Sequence, residues 1–117
     1  MVVQSFTSSN QAIAIDNNSL CIDFIKNTAT NLNLNINTIQ DDAIKYVSKC
    51  NKQFDFIFAD PPYNYKKYEE LKTIIIKQKI IKKNGILIIE HDKDTNFTDN
   101  NIEIRKYGTI NFSLFSF

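Results

Sequence analysis

The sequence predicts an α/β fold: a mostly parallel sheet covered by helices and closed by an antiparallel hairpin. Three observations predict it. Short apolar runs alternate with stretches of helical period, as strand-helix-strand units do. Each inferred parallel strand ends in an acidic residue, which gathers Asp16, Asp41 with Asp42, Asp60 and Glu90 at one edge of the sheet. Residues 102–117 alternate on both sides of Gly108, the pattern of a hairpin.

The elements follow in order. Ala12 to Ile15 is a short apolar strand ending in Asp16. Asn17 or Asn18 then caps a helix running to about Leu32, with Leu20, Phe24 and Ala29 facing inward. Asn35 to Gln40 alternates as a strand, with Ile36 and Thr38 on one face. Asp41 or Asp42 caps the next helix, where Ala43, Ile44 and Val47 form the apolar stripe. Phe54 to Ala59 is apolar on both faces apart from Asp55, as a central parallel strand is. It stops at Asp60-Pro61-Pro62, because proline cannot donate to a ladder. Lys66 to Ile81 reads as a helix with Leu71, Ile74, Ile75 and Gln78 inward, ended by Asn84-Gly85. Ile86 to Ile89 is another buried strand, closing with Glu90 and His91. A polar loop, 92–101, leads to the hairpin of Ile102 to Tyr107 and Ile110 to Phe117.

Composition excludes several classes. The chain has 117 residues, enough for one domain, and 43% hydrophobic residues can fill one core. A net charge of +1 gives no bulk attraction for nucleic acid. Cys21 and Cys50 lack partners at metal-ligand spacing and read as free thiols; no metal site is expected. The strongest apolar run, Ile74-Ile75-Ile76, is too short to span a membrane, and Met1-Val2-Val3-Gln4 lacks a signal-peptide pattern. A reducing cytoplasm is the expected location. Arg105 is the only arginine, so phosphate contacts must come from lysine point charges.

Asp60-Pro61-Pro62-Tyr63 carries the chemistry. Two consecutive prolines fix the backbone, remove two amide donors and leave carbonyls to accept from a ligand. Asp60 adds a carboxylate acceptor and Tyr63 a flat face. An exocyclic base amine needs this set: acceptors for its hydrogens and a ring to stack the extruded base. Holding the amine in line with a methyl sulfonium supplies proximity and orientation. The bland alternative is a rigid turn. Just after the motif, Lys66 and Lys67 beside Tyr65 and Tyr68 form a small basic and aromatic patch able to hold a strand by charge and stacking, or an exposed first helical turn.

Phe54-Asp55-Phe56-Ile57-Phe58-Ala59-Asp60-Pro61-Pro62-Tyr63 resembles motif IV of the amino-methyltransferases, and within them the RsmD-type small-subunit (16S) ribosomal RNA guanine-N2 methyltransferases. Asn84 to His91, Ala12 to Asn17 and the Tyr107-Gly108-Thr109 turn are similar to further parts of that family. The resemblance implies a class I, Rossmann-like sheet and S-adenosyl-L-methionine as cofactor, with small-subunit ribosomal RNA as partner. It implies that Asp16, with Asn17, binds the cofactor ribose. Asp42 and the Ala43 amide would read the adenine edge, with Asp41 the weaker candidate. Asp60 with the Pro61 carbonyl would hold the guanine amine on the corner completed by Pro62, and Tyr63 would stack the base. Without the resemblance, Asp16 and Asp42 read as helix caps, and His91 as a solvated histidine at a strand end.

The sequence also departs from the family. The first strand, its glycine-rich loop and the following helix are not visible, and the only glycines are Gly85 and Gly108. Residues 1–11 are expected to be a remnant of that helix and loop, with Val2 to Phe6 the helix tail, and 12–117 to supply strands two to seven of a single partial domain. A parallel crossover needs a dozen or more residues, and Thr7 to Gln11 gives five. The sheet should therefore have unpaired edges in its middle, bind cofactor weakly or not at all, and self-associate through those edges. Two other functions compete: adenine-N6 methylation of DNA or RNA, and a non-catalytic remnant or partner subunit.

Overall fold

A computed structural model describes residues 1–4, 12–60, 67–99 and 102–117. They form β1 (Val2–Gln4), β2 (Ala12–Asp16), α1 (Ser19–Asn31), β3 (Ile36–Gln40), α2 (Ala43–Lys49), β4 (Phe54–Ala59), α3 (Tyr68–Lys77), β5 (Ile81–Asp92), β6 (Ile102–Tyr107) and β7 (Ile110–Ser116). One seven-stranded mixed sheet results, ordered β3-β2-β1-β4-β5-β7-β6. β2 with β3 and β4 with β5 pair parallel, and β5, β7 and β6 pair antiparallel in turn.

The middle of the sheet corrects the sequence expectation. Val2–Gln4 is a strand, not a helix tail, and it closes the slot between β2 and β4. It runs antiparallel to both, with Val3 opposite Ile13 on one side and Ile57 on the other. The reason is topological. A short connection cannot return the chain parallel, but it can return it antiparallel. No slot is left open there, and the sheet's outer strands among the described residues are β3 and β6.

The main core lies on the face covered by α2 and α3, where Ile13, Ile57, Leu87 and Ile89 meet Val47, Leu71 and Ile75. Fully burying such side chains contributes about 1.5–3 kcal/mol each. None of that cluster comes from α1, which packs on β2 and β3. Right-handed crossovers in opposite directions along the sheet put α1 on one face and α2 on the other. Asn18 caps α1, its Oδ1 accepting from the Leu20 amide at 2.8 Å. Ile22 and Ala29, seven residues apart, point inward. Leu20 and Phe24 were expected inward but stand 76% and 71% exposed, because they occupy the opposite side of the helix.

α3 is shorter than predicted. It ends at Lys77, with Lys79 in a left-handed conformation (φ 54°), and Gln78 is exposed. Asn84-Gly85 does not end a helix; it lies inside β5, where pairing shifts from Phe54↔Ile81 to Phe56↔Ile86. A Cβ on Gly85 would sit 2.5 Å from Ile81 Cγ2 and 2.8 Å from the Lys82 carbonyl, so only glycine fits. The terminal hairpin turns tightly at Gly108 (φ 62°), with Tyr107 opposite Ile110.

Candidate functional site

β2, β3 and β4 run parallel, so their carboxyl ends share one edge, the place where α/β sheets bind ligands. There Asp16 and Asn17, then Asp41, Asp42 and Ala43, then Asp60 line a single cavity of about 260 Å³. Met1, Ile15, Ala59 and Leu71 complete its wall. Sequence reading missed these apolar members. Ile15 and Ala59 are each the residue before a strand-ending aspartate, which was the available signal.

The aspartates cap and line at once. Asp16 Oδ1 accepts from the Asn18 amide at 2.8 Å, and Asp42 Oδ2 accepts from the Lys45 amide at 3.0 Å as the cap of α2. A carboxylate has two oxygens, so neither turn exhausts its residue. The Asp41 amide donates to the Asp16 carbonyl at 3.0 Å, and Gln40 Nε2 to the Asn17 carbonyl at 3.5 Å. These bonds tie the ends of β2 and β3 together. Asp41 Oδ1 accepts from the Asp42 amide at 2.8 Å, which fixes the entry to α2. Asp60 is half exposed, its Oδ1 3.6 Å from the Met1 ammonium. That ammonium donates to the Ile15 carbonyl at 2.8 Å, because the antiparallel direction of β1 brings Met1 to this edge.

Pro61, Pro62, Tyr63, Tyr65 and Lys66 lie outside the described residues. Lys67 is exposed just before α3. Tyr68 is not part of an exposed patch: it is 5% exposed, edge-on to His91 with ring centroids 6.1 Å apart. His91 is likewise buried, against the expectation of a solvated ring. Its Nε2 lies 2.6 Å from Ser113 Oγ and its Nδ1 2.8 Å from the Asp92 carbonyl. Its ring packs edge-on to Phe97.

Lys72, also unanticipated, is buried beside this group, with Nζ 2.7 Å from Asp99 and 2.8 Å from Glu69. Burial alone would pull its ammonium down, but the hydrogen bonds to Asp99 and Glu69 hold it above the ordinary lysine value. The Thr95 hydroxyl, donating to Asp92 Oδ1 at 2.7 Å, outweighs desolvation there and, with the Thr95 and Asp94 amides, holds the Asp92 carboxyl below its usual value. Burial, with Cys50 alongside, pushes the Tyr46 phenol up to about 12. Among the described residues no group of acidic, histidine and cysteine side chains could hold a metal, and no helix is long and apolar enough to cross a membrane.

The family described as conserved hypothetical protein 95 matches residues 8–116. Ribosomal RNA small subunit methyltransferase D of Buchnera aphidicola (subsp. Baizongia pistaciae) is 28% identical over 95 residues, covering 80% of this chain and 47% of that protein. The chain thus spans about half the length of this curated relative. Among solved structures, a conserved hypothetical protein of Streptococcus pyogenes superposes with a TM-score of 0.80 at 14% identity, over 89% of this chain and 69% of that one. An rRNA methylase from Streptococcus thermophilus gives a TM-score of 0.60 at 13% identity, over 87% and 72%. At such identities these two likenesses show the fold alone. The sequence matches establish that the chain belongs to the conserved hypothetical protein 95 family, the family of RsmD-type methyltransferases.

Proposed function

We propose that this chain serves S-adenosyl-L-methionine-dependent methylation of the exocyclic N2 amine of a guanine in small-subunit ribosomal RNA, in the cytoplasm, from a Rossmann-like methyltransferase domain. The observation that carries the reading is the convergence of Asp16, Asp42 and Asp60, from three strand ends, on one cavity. That donor set fits the adenosyl part of the cofactor: carboxylates accept from ribose hydroxyls and an adenine amine, and Ile15, Ala43 and Leu71 offer apolar surface to the ring. When bound, the cofactor supplies the electrophilic methyl group. Asp16, beside Asn17, takes the ribose hydroxyls; Asp42 and the Ala43 amide take the adenine edge. Asp60 and the Pro61 carbonyl accept from the guanine amine and aim its nitrogen, while Tyr63 stacks the base and Lys66 and Lys67 hold the backbone. Affinity for the cofactor is weak, because β1 runs antiparallel to β2 and β4, so its carboxyl end lies at the edge of the sheet opposite the cavity.

Tritium transfer from labelled cofactor to small-subunit ribosomal RNA, with mass spectrometry of the digested nucleosides, tests the proposal. Asp16→Ala should weaken cofactor binding, while Asp60→Ala should abolish transfer and leave binding in place. N6-methyladenosine as the product would replace guanine by adenine as the target. Cofactor binding equal in wild type and Asp16→Ala would remove the site altogether.

A further inference from the structure

The two outer strands of the sheet are unlike each other. β6 carries Glu103, Arg105 and Lys106, and charge on an edge strand discourages pairing with another chain. β3 reads Ile36-Asn37-Thr38-Ile39-Gln40, with no charge, no proline and an unbroken five-pair register to β2. Its backbone bonds show which way its polar groups face. The Ala12 amide donates to the Asn35 carbonyl at 3.4 Å, and the Asp41 amide to the Asp16 carbonyl at 3.0 Å. Residues 35, 37, 39 and 41 therefore face β2, and alternation turns the amides and carbonyls of Thr38 and Gln40 outward.

We propose that β3 is a homodimerisation edge, on which a second copy of this chain pairs its own β3 antiparallel about a two-fold axis at Thr38. The register is self-complementary. Thr38 would exchange both backbone hydrogen bonds with its symmetry mate, and Ile36 would lie opposite the partner's Gln40. The covering helix agrees with this placement. α1 runs antiparallel to β3: Gln40 reaches Asn17 before its start, and Ile36 shares a groove with Lys26, Ala29 and Thr30 toward its end. Lys26 and Thr30 line the edge side of α1, and Asp23 shares that flank by helical spacing. All three are exposed, and counting the rise along helix and strand between those two anchors puts the level of Thr38 between Asp23 and Lys26. A two-fold axis there reverses their order, so each Asp23 meets the partner's Lys26. One short strand and one helix flank bury less than the roughly 800 Å² per partner of a stable complex, so the dimer is weak and concentration-dependent.

Sedimentation velocity of the full chain over a wide concentration range tests this, with backbone NMR on dilution as a second readout. Wild type should show a reversible monomer–dimer equilibrium, with the Thr38 and Gln40 amides shifting on dilution. Thr38→Pro removes a donor that faces away from β2, and losing both central bonds should weaken the dimer by about tenfold or more. Should that variant fail to fold by circular dichroism, Thr38→Lys sets two like charges opposite each other and should act in the same direction. Ile104→Lys on β6 should leave the equilibrium unchanged. A wild type that stays monomeric throughout, a folded Thr38→Lys chain that dimerises like wild type, or loss of the dimer in Ile104→Lys would overturn the proposal.

Discussion

Asp42 holds two jobs in one carboxylate, and substitution can separate them. It caps α2 through the Lys45 amide and lines the cavity beside Ala43. Asp42→Ala should lose the cap and about 1 kcal/mol of stability, together with cofactor affinity. Asp42→Ser keeps a capping oxygen, so urea denaturation should show near-wild-type stability while calorimetry shows the same loss of binding. Equal binding by Asp42→Ser and wild type would leave Asp42 a cap alone. Gly85→Ala is the sharpest steric test, since its Cβ would lie inside contact distance of Ile81 and the Lys82 carbonyl. It should lower stability by about 1–3 kcal/mol in urea denaturation. Asp92 gives a pH dependence. Its folded carboxyl is held below the usual value, so its stabilisation is complete above that value and is lost as pH falls through the lower one. Asp92→Asn should flatten the acid limb of a stability–pH profile below about pH 4.

At the scale of elements, Lys72 ties α3 to the segment after β5. Its partner Asp99 lies in the loop, and Phe97 beside it packs on His91 and Phe115. Removing Asp99 leaves a buried ammonium with only exposed Glu69, whereas replacing Lys72 by an apolar chain removes the charge itself. Asp99→Ala should therefore cost about 1–3 kcal/mol in urea denaturation, and Lys72→Met distinctly less. The sequence did not announce this cluster, because Lys72 and His91 look like surface residues until long-range packing surrounds them. What was legible came from local rules. Asn18 and Asp42 cap as their side chains allow, Phe54–Ala59 is the apolar central strand, and Gly108 turns the hairpin. The inner face of α1 was misread, because Leu20 and Phe24 are apolar yet lie opposite the narrow Ile22–Ala29 strip that the sheet covers. Asn84-Gly85 has the look of a helix stop, and only its partner strand reveals a bulge.

For the molecule as a whole, β1 decides whether the site exists. β2, which ends in Asp16, and β3, which leads into Asp42, join the rest of the sheet through it, since β2 and β4 each pair with β1 and not with each other. Asp60 stands at the end of β4, on the far side. The strand that the family resemblance places in this slot would run parallel; this chain fills it with three residues of opposite direction, which no pattern of apolar spacing in so short a segment distinguishes from a helix tail. The cavity between Asp16 and Asp60 is therefore as stable as the ladders on the two sides of Val2–Gln4. Val3→Pro removes an amide donor from a strand paired on both sides and has no edge at which to be accommodated. It should lower stability by about 3 kcal/mol or more, comparable to a large truncation in the core. The cost should fall on the join: hydrogen exchange should accelerate in β2 and β3 before it does in β5 and β7, and cofactor binding should be lost with it. Uniform acceleration across all seven strands, or exchange in β2 and β3 unchanged from wild type, would show that α2 packing on α3, and not β1, holds the two sides of the cavity together.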